Sequence, residues 1–160
     1  MAKTMGQQRA KSAWDNLVDV KNHENDDFKI GYRNSARSAA VLVMTAGLGQ
    51  TLAFLRAKGK NDAASAHTWL YNHLSTWAMG QLNSDDEQRQ ALRDWMRRNF
   101  QMGQADDEAV DGRARLALLE WVIDQDVDVY RRATTETLAY LGWLKRFAEA
   151  TLPQPDEMGE

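Results

Sequence analysis

Large apolar side chains are most concentrated between Thr134 and Ala150. That stretch contains no proline and consists mostly of residues that favour helices. At about 100° per residue, its apolar positions cover an arc of roughly 200°, about twice the width of the stripe on a surface helix. A helix with so wide an apolar arc needs neighbours on two sides. The pattern predicts a central helix that begins at a cap on Asp126 or Asp128 and runs to about Leu152.

The same spacing of three and four residues between apolar positions recurs along the rest of the chain. It predicts a first helix over residues 7–23, a second helical region over 29–58, a third helix to about Leu82, a fourth to about Phe100 and a fifth over 115–123. Asn61 or Asp62 is the predicted cap of the third helix, while Ser84 with Glu87 has the spacing of a capping box for the fourth. Gly59 is expected to end the second helical region.

Gly47-Leu48-Gly49 interrupts the second helical region. Each glycine costs about 1 kcal/mol in a helix interior, so the pair predicts either a kink or a place where another backbone lies close. Residues 102–112 contain glycine and several acids and are predicted to form a loop. No segment alternates with period two for long, so we predict an all-α bundle of about five to seven helices without a sheet. Residues 1–152 are expected to form one helical domain and 153–160 a disordered tail.

Composition narrows the classes of function. The 160 residues include no cysteine, which excludes a disulfide framework, a thiol nucleophile and a thiolate zinc site. No apolar run approaches the ~20 residues that cross a bilayer, and the polar first residues do not resemble a secretory signal. A cytoplasmic protein without membrane contact is therefore expected.

Asp124, Asp126 and Asp128 have the spacing of the first half of a calcium-binding loop. Such a loop needs glycine at its sixth position and glutamate at its twelfth, where this chain has Val129 and Thr135. We therefore interpret the three aspartates as helix-capping carboxylates.

No other catalytic or metal-binding motif is complete. His67 and His73 are six residues apart, whereas zinc-binding helices place two histidines four apart. The two glycines at 47 and 49 lack the lysine and hydroxyl residue of a phosphate-binding loop. The acids between Asp106 and Asp111 could hold magnesium in a small nuclease, but a solvated face is the favoured interpretation. We predict no catalytic residue, no metal site and no cofactor.

Charge is distributed unevenly along the chain. Residues 1–60 have ten Lys and Arg against five Asp and Glu, a net +5, while residues 61–130 have a net −7 and residues 131–160 a net −1. Lysine and arginine contact phosphates without base specificity, although any one of them can equally be a solvated surface cation. The candidate phosphate-contacting residues are Arg9, Lys11, Lys29, Arg33, Arg37, Arg56, Lys58, Lys60, Arg131, Arg132, Lys145 and Arg146. Arg132 and Lys145 are also spaced to pair with Glu136 and Glu149, one helical turn further on.

Three segments together resemble a known family. They are Lys11-Ser12-Ala13-Trp14 in the first helix, GLGQTLAFLRAK over residues 47–58 and TTETLAYLGWLKRFAEA over residues 134–150. In this order they are similar to the small helical subunit of type III-B CRISPR effector complexes, also called Cmr or RAMP-module complexes. The chain departs from compact family members between Gly80 and Gly112, where it is longer and more acidic.

The resemblance implies a non-catalytic subunit. Copies of it would stack head to tail as a minor filament beside the backbone subunit, near the large polymerase-like subunit. The resemblance also implies that basic residues line a groove holding the crRNA–target RNA duplex, for which the twelve cations above are the candidates. The alternative hypothesis is a helical adaptor that bridges protein subunits without touching nucleic acid.

Overall fold

Eight α-helices make up the secondary structure of the computed structural model, which describes residues 2–155. They are α1 (Met5–Lys21), α2 (Asp26–Ala46), α3 (Leu48–Gly59), α4 (Ala66–Leu82), α5 (Asp86–Asn99), α6 (Asp107–Ala114), α7 (Leu118–Val122) and α8 (Val127–Thr151). No strand occurs in this part of the chain, and the predicted all-α fold is confirmed. Of the predicted tail, residues 156–160 lie outside the described residues.

The long helix α8 lies at the centre of the molecule. It packs against α1, α2 and α4, so three helices cover its apolar arc. Tyr140, Leu141 and Leu144 on α8 are completely buried. This arrangement agrees with the wide apolar arc of its sequence, because side chains pointing in several directions all meet a neighbouring helix.

The break between α2 and α3 lies at Gly47. Its φ of 91° and ψ of 165° belong to a region that essentially only glycine adopts. Two residues later, the Gly49 N–H donates a hydrogen bond to the Tyr130 hydroxyl at 2.8 Å. A Cβ at Gly49 would lie 3.2 Å from the same oxygen. Gly47 therefore gives the predicted break, whereas the group that lies close to Gly49 is a side chain of α8 and not another backbone.

Helix α3 ends at Gly59, as predicted, whereas the start of α4 is displaced from its predicted position. Helix α4 is capped by Ser65, whose hydroxyl accepts a hydrogen bond from the His67 N–H at 3.2 Å, so the prediction of Asn61 or Asp62 is wrong. Helix α3 includes Gly59, and Lys60 takes the left-handed conformation after it, with φ of 52°. Glycine is needed at 59 because a Cβ there would lie 2.3 Å from the Thr68 hydroxyl.

The capping box of α5 begins one residue later than predicted. Asp85 accepts a hydrogen bond from the Gln88 N–H at 2.7 Å, and the Gln88 side chain accepts one from the Asp85 N–H at 3.3 Å. Ser84 and Glu87 have the same spacing, but a carboxylate is the stronger acceptor for the N–H groups at a helix start. At the start of α8, in contrast, the predicted cap Asp126 is confirmed, and it accepts from the Val129 N–H at 3.0 Å.

The acidic segment predicted as a loop contains helix α6, and the predicted fifth helix shortens to α7. Asp106 caps α6 by accepting from the Ala109 N–H at 2.8 Å. Val110 and Ala114 are buried and give α6 an apolar side, while arginines of α5 neutralise its carboxylates. The helix could not be predicted from this segment alone, because its carboxylates are compensated by cations from another part of the chain.

Candidate partner and nucleic-acid interface

The fold divides the twelve candidate cations by whether their charge is already paired inside the molecule. Arg9 on α1 makes a two-pronged contact with Glu136 on α8, at 2.8 and 2.7 Å. The indole N–H of Trp77 donates to the same carboxylate at 2.8 Å. Hydrogen bonding between the two groups raises the pKa of Arg9 and lowers the pKa of Glu136. Arg9 therefore holds α1 on α8, and the predicted pairing of Arg132 with Glu136 is wrong.

Arg56 is likewise part of a helix junction. Its guanidinium pairs with Glu120 of α7 and donates to the Tyr71 hydroxyl of α4 at 2.6 Å. The same group lies over the Tyr71 ring, 4.7 Å from the centroid. Arg56 thus joins α3, α4 and α7, and its charge is already balanced.

Three lysines have a carboxylate neighbour on their own helix. Lys11 pairs with Asp15 at 2.8 Å and Lys29 with Asp26 at 3.4 Å. The predicted pairing of Lys145 with Glu149 is present at 4.0 Å, the longest ion-pair distance among residues 2–155. The pairs of Lys11 and Lys145 are solvent-exposed and contribute at most about 1 kcal/mol, so a phosphate can compete for these two lysines, whereas the Lys29 side chain is only 18% exposed.

A groove of about 540 Å³ between α2 and α8 brings two of the predicted cations together. Arg37 of α2 lines it on one side and Lys145 of α8 on the other. The remaining lining residues are Asn34, Ser38, Val41, Leu42 and Thr45. Arg37 forms no ion pair with a carboxylate of residues 2–155. The groove therefore presents two cations, an amide and a hydroxyl to an anion.

The cations of α2 form a row in which only Lys29 has a carboxylate partner within residues 2–155, Asp26 at 3.4 Å. Lys29, Arg33 and Arg37 lie one helical turn apart, and like charges at this spacing repel each other. Residues 28–61 contain six Lys and Arg and no Asp or Glu. Arg33 is buried, and its Nε has no hydrogen-bond partner among the described residues. The exposed Arg37 is therefore the member of the row best placed to bind a negatively charged partner outside the chain.

The other predicted cations do not line this groove. Lys58 and Lys60 are exposed at the end of α3, with Lys58 lying 5.8 Å from the Phe54 ring centroid. Arg131, Arg132 and Arg146 are exposed on α8. Arg132 lines a separate groove of about 330 Å³ between α5, α7 and α8. The twelve candidate cations thus lie in separate groups on the structure.

Sequence reasoning missed the uncharged donors of the α2–α8 groove, Asn34 and Ser38, whereas the hydroxyl of Thr45 in the same groove donates to the Val41 carbonyl at 3.1 Å. Their positions, together with Arg37 and Val41, follow the three- and four-residue spacing of one helix face. A projection of α2 would therefore have found them. That they face Lys145 could not be found in this way, because the chain positions involved are about a hundred residues apart.

The acidic segment is tied to arginines. Arg93 contacts Asp111 through two hydrogen bonds of 2.8 and 2.7 Å and lies 3.4 Å from Asp107, while Arg97 reaches Asp107 at 2.8 Å. The hydrogen bond from Arg97 lowers the pKa of Asp107, and that from Arg93 lowers the pKa of Asp111. Within residues 2–155, no group of three or more His, Asp or Glu side chains is placed to hold a metal ion. Two of the four carboxylates between Asp106 and Asp111 are thus already bound to cations.

The fold is that of a small all-helical protein with a surface groove, and comparison with known proteins identifies its family. The family model for "CRISPR-associated protein (Cas_Cmr5)" matches residues 5–151, so the chain belongs to the Cmr5 family. A solved structure of a CRISPR-associated Cmr5 family protein from Thermus thermophilus is similar, with 27% sequence identity and a TM-score of 0.62. The match covers 94% of this chain and 100% of that chain.

Family membership makes the chain a structural subunit of the Cmr complex that interacts with other components of that complex. The resemblance seen in the sequence is thereby confirmed. Among residues 2–155, no helix combines the length and the apolar character that crossing a membrane requires.

Proposed function

We propose that this subunit holds RNA in the Cmr complex by placing the groove between α2 and α8 against the sugar–phosphate backbone of the crRNA–target RNA duplex. The observation that carries the proposal is the meeting of Arg37 and Lys145 in one groove. Cations on opposite walls can contact successive phosphates of one strand, while the Asn34 amide and the Ser38 hydroxyl can donate to phosphate or ribose oxygens. Contacts of this kind do not depend on base identity.

The α2 row extends the contact along the helix. Lys29 gives up only a weak ion pair with Asp26, at 3.4 Å, when it turns to a phosphate. Arg33, between Lys29 and Arg37, is buried and is therefore left out of the contact. Lys29 and Arg37 are eight residues apart and span about 12 Å of helix, enough for two phosphate spacings of an RNA strand. Lys29, Arg37 and Lys145 are therefore the proposed RNA contact, and Arg9 and Arg56 are excluded from it.

The proposed role of the subunit in the complex is structural, and its proposed location is the cytoplasm. Copies of the subunit stack as a minor filament beside the backbone subunit, close to the large polymerase-like subunit. The chain positions RNA, and cleavage is left to another subunit. Support comes from Asp107 and Asp111, two of the four carboxylates considered for metal binding, which are engaged by Arg93 and Arg97.

RNA titration of the full chain tests this proposal. Fluorescence anisotropy with labelled single-stranded RNA and with an RNA duplex should show weak binding that depends strongly on salt. The double variant Arg37→Glu/Lys145→Glu should bind roughly tenfold or more weakly, with a salt slope shallower by about 1.4 to 1.8, because two phosphate contacts are lost. RNA sequence should have little effect.

The matched control changes the same amount of charge elsewhere. Lys21→Glu/Arg89→Glu alters exposed cations of α1 and α5 that lie outside the groove and should bind nearly as tightly as the parent protein. Equal losses in the two double variants would show that only net charge matters and would reject the groove. If the parent protein binds no RNA at low salt, and crosslinks in the assembled complex reach only protein, the adaptor hypothesis replaces this one.

A further inference from the structure

A cavity separate from the α2–α8 groove lies between α1, α4 and α8. Its volume is about 310 Å³, at the lower end of the range for ligand pockets in proteins, about 300–1,000 Å³. The lining contains no lysine, arginine, aspartate or glutamate and consists of Ser12, Asn16, Asn72, His73, Thr76, Trp77, Gly80, Gln81 and Tyr140. None of these residues lines the α2–α8 groove. We call this cavity the amide pocket, after its asparagine and glutamine side chains.

One wall of the amide pocket is a pair of stacked aromatic rings. The rings of Trp77 and Tyr140 are parallel within 7°, with 4.9 Å between their centroids. The Tyr140 hydroxyl hydrogen-bonds to Ser12 at 2.8 Å and accepts from the Asn16 amide at 2.6 Å. The Trp77 N–H donates to Glu136 at 2.8 Å. Since these bonds hold both rings in place, a ligand meets an aromatic wall that is already ordered.

Three polar side chains of the pocket are not used by the fold. The side chains of Asn72, Thr76 and Gln81 form no hydrogen bond with another residue of 2–155, although several of their neighbours on α4 do. An amide presents a donor and an acceptor side by side, so it can bind two adjacent groups of one ligand. The two free amides therefore suit a ligand with donors and acceptors along one edge.

His73 adds a donor to the pocket. Its Nδ1 lies 2.7 Å from the hydroxyl of the completely buried Tyr32, which has no other partner within residues 2–155. The hydroxyl therefore donates to Nδ1, because a buried donor left unpaired would cost about 1–3 kcal/mol. Burial lowers the pKa of His73 to about 4, so the ring is neutral near pH 7. In a neutral ring that accepts at Nδ1, the proton is on Nε2, which forms no hydrogen bond within residues 2–155 and can donate to a ligand.

We infer that the amide pocket binds a nucleobase, either that of a free nucleoside or that of an unpaired nucleotide in RNA. A nucleobase is a flat ring that stacks on aromatic side chains and has adjacent donors and acceptors on its edge. A lining without charged side chains disfavours a phosphate or a carboxylate, because a buried charge needs a partner of opposite sign. The inference is independent of the RNA contact proposed for the α2–α8 groove, since the two sites share no residue.

NMR spectroscopy of the ¹⁵N-labelled full-length protein tests the pocket, with adenosine, guanosine, cytidine and uridine as probes. The side-chain NH₂ signals of Asn72 and Gln81 should shift in a saturable way with at least one nucleoside. The Kd should be in the millimolar range, because so small a ligand makes few contacts. If single-stranded RNA displaces the nucleoside more readily than a fully paired duplex does, the ligand is a base of an RNA strand. If RNA does not displace it, the ligand is a free nucleoside.

Two glycine variants provide a matched pair. A Cβ at Gly80, in the pocket lining, would meet no atom within 4 Å, so Gly80→Leu should fill the cavity and abolish the shifts without loss of stability. Gly112 on α6 is equally open, and Gly112→Leu makes the same change outside the pocket and should leave binding intact. The double variant Asn72→Leu/Gln81→Leu should bind roughly tenfold or more weakly, because the paired hydrogen bonds are lost. For this variant, shifts of the Trp77 indole N–H signal are measured.

Three results overturn the inference. The first is that no nucleoside shifts the signals of the pocket, and the second is that Gly80→Leu and Gly112→Leu bind equally well. The third is a stronger shift with N-acetylglutamine amide than with any nucleoside, which would assign the pocket to a side chain of a partner protein. Arg37→Glu/Lys145→Glu should bind nucleosides like the parent protein, so failure of the α2–α8 groove as an RNA site is distinguished from failure of the amide pocket.

Discussion

The inner bundle of α1, α2, α4 and α8 and the outer pair α5 and α6 both use a two-pronged arginine–carboxylate contact. In the bundle, Arg9 meets Glu136 at 2.8 and 2.7 Å. In the outer pair, Arg93 meets Asp111 at the same two distances. The Glu136 side chain is 15% exposed and the Asp111 side chain 41% exposed. The two contacts therefore have the same geometry but differ in their exposure to solvent.

Solvent exposure determines how much each contact contributes to the free energy of unfolding. Glu136 also accepts a hydrogen bond from Trp77. Removing the Glu136 carboxylate would therefore leave the donors of Arg9 and Trp77 unpaired between helices, with little access to water. At Asp111, solvent can replace the arginine, and Arg93 retains Asp107 at 3.4 Å. A buried group left without its partner costs its full desolvation, whereas an exposed one is solvated by water. The inner contact should therefore determine stability, while the outer one should mainly hold α6 on α5.

The largest expected loss of stability comes from removing a side chain at the middle of the bundle. Tyr140 is completely buried, its ring stacks on Trp77 at 4.9 Å, and its hydroxyl hydrogen-bonds to Ser12 and Asn16. Tyr140→Ala should lower the free energy of unfolding by about 3–5 kcal/mol, because it leaves a cavity and unpaired polar groups. Urea denaturation measures the change. Phe100→Ala in the outer region is the comparison and should cost less, and an equal loss at the two positions would contradict the contrast.

The next largest effect is a dependence of stability on pH that arises from the buried pair of Tyr32 and His73. The Tyr32 hydroxyl lies 2.7 Å from His73 Nδ1, and burial lowers the pKa of His73 to about 4. In the unfolded chain His73 titrates near 6.5, so between these values the unfolded state binds a proton that the folded state does not. Stability is complete above pH 6.5 and should fall by at most about 3 kcal/mol as pH drops to 4.

Urea denaturation of the parent protein and of His73→Asn across that pH range measures this dependence. The variant should be less stable at pH 7 and should show a shallower decline towards pH 4. The pKa of His67 is also lowered by burial, so part of the decline should remain. Equal slopes in the two proteins would exclude His73 as its source.

A smaller effect is expected at the inner ion pair itself. Glu136→Ala leaves Arg9 and the Trp77 N–H without an acceptor and should cost about 1–3 kcal/mol at neutral pH. Because the pKa of Glu136 is lowered in the folded state, this contribution is present above the unfolded value near 4.5 and is lost as pH falls through the folded pKa. The stability difference between parent and variant, followed by urea denaturation, should therefore shrink below pH 4.5. A constant difference would mean that packing, and not the ionised carboxylate, is responsible.

The smallest effect on global stability should be that of Arg93→Ala in the outer pair. Its guanidinium contacts only exposed or half-exposed carboxylates, and water can solvate them once it is removed. The unfolding midpoint should move less than for Glu136→Ala, while amide hydrogen exchange within α6 should speed up. If Arg93→Ala destabilises the protein more than Glu136→Ala, exposure is not what separates the two regions.

The contrast between these regions also shows how far the sequence could be interpreted. Positions and apolar faces of helices depend on side chains three and four residues apart, so the all-α fold and the central place of α8 could be predicted. Caps are less certain, because several neighbouring residues can accept the same N–H groups, as the choice of Asp85 over Ser84 shows. Helix α6 was missed because the arginines that neutralise Asp107 and Asp111 belong to α5.

By itself the sequence determined most of the helices, the family and the set of cations from which the candidate site is drawn. The tertiary structure decided which of those cations are available. Arg9 is bound by Glu136, 127 residues away along the chain, while Arg37 meets Lys145 across a groove. Whether a charge is paired depends on distances of a few ångströms between helices remote in sequence, and local periodicity contains no information about those distances.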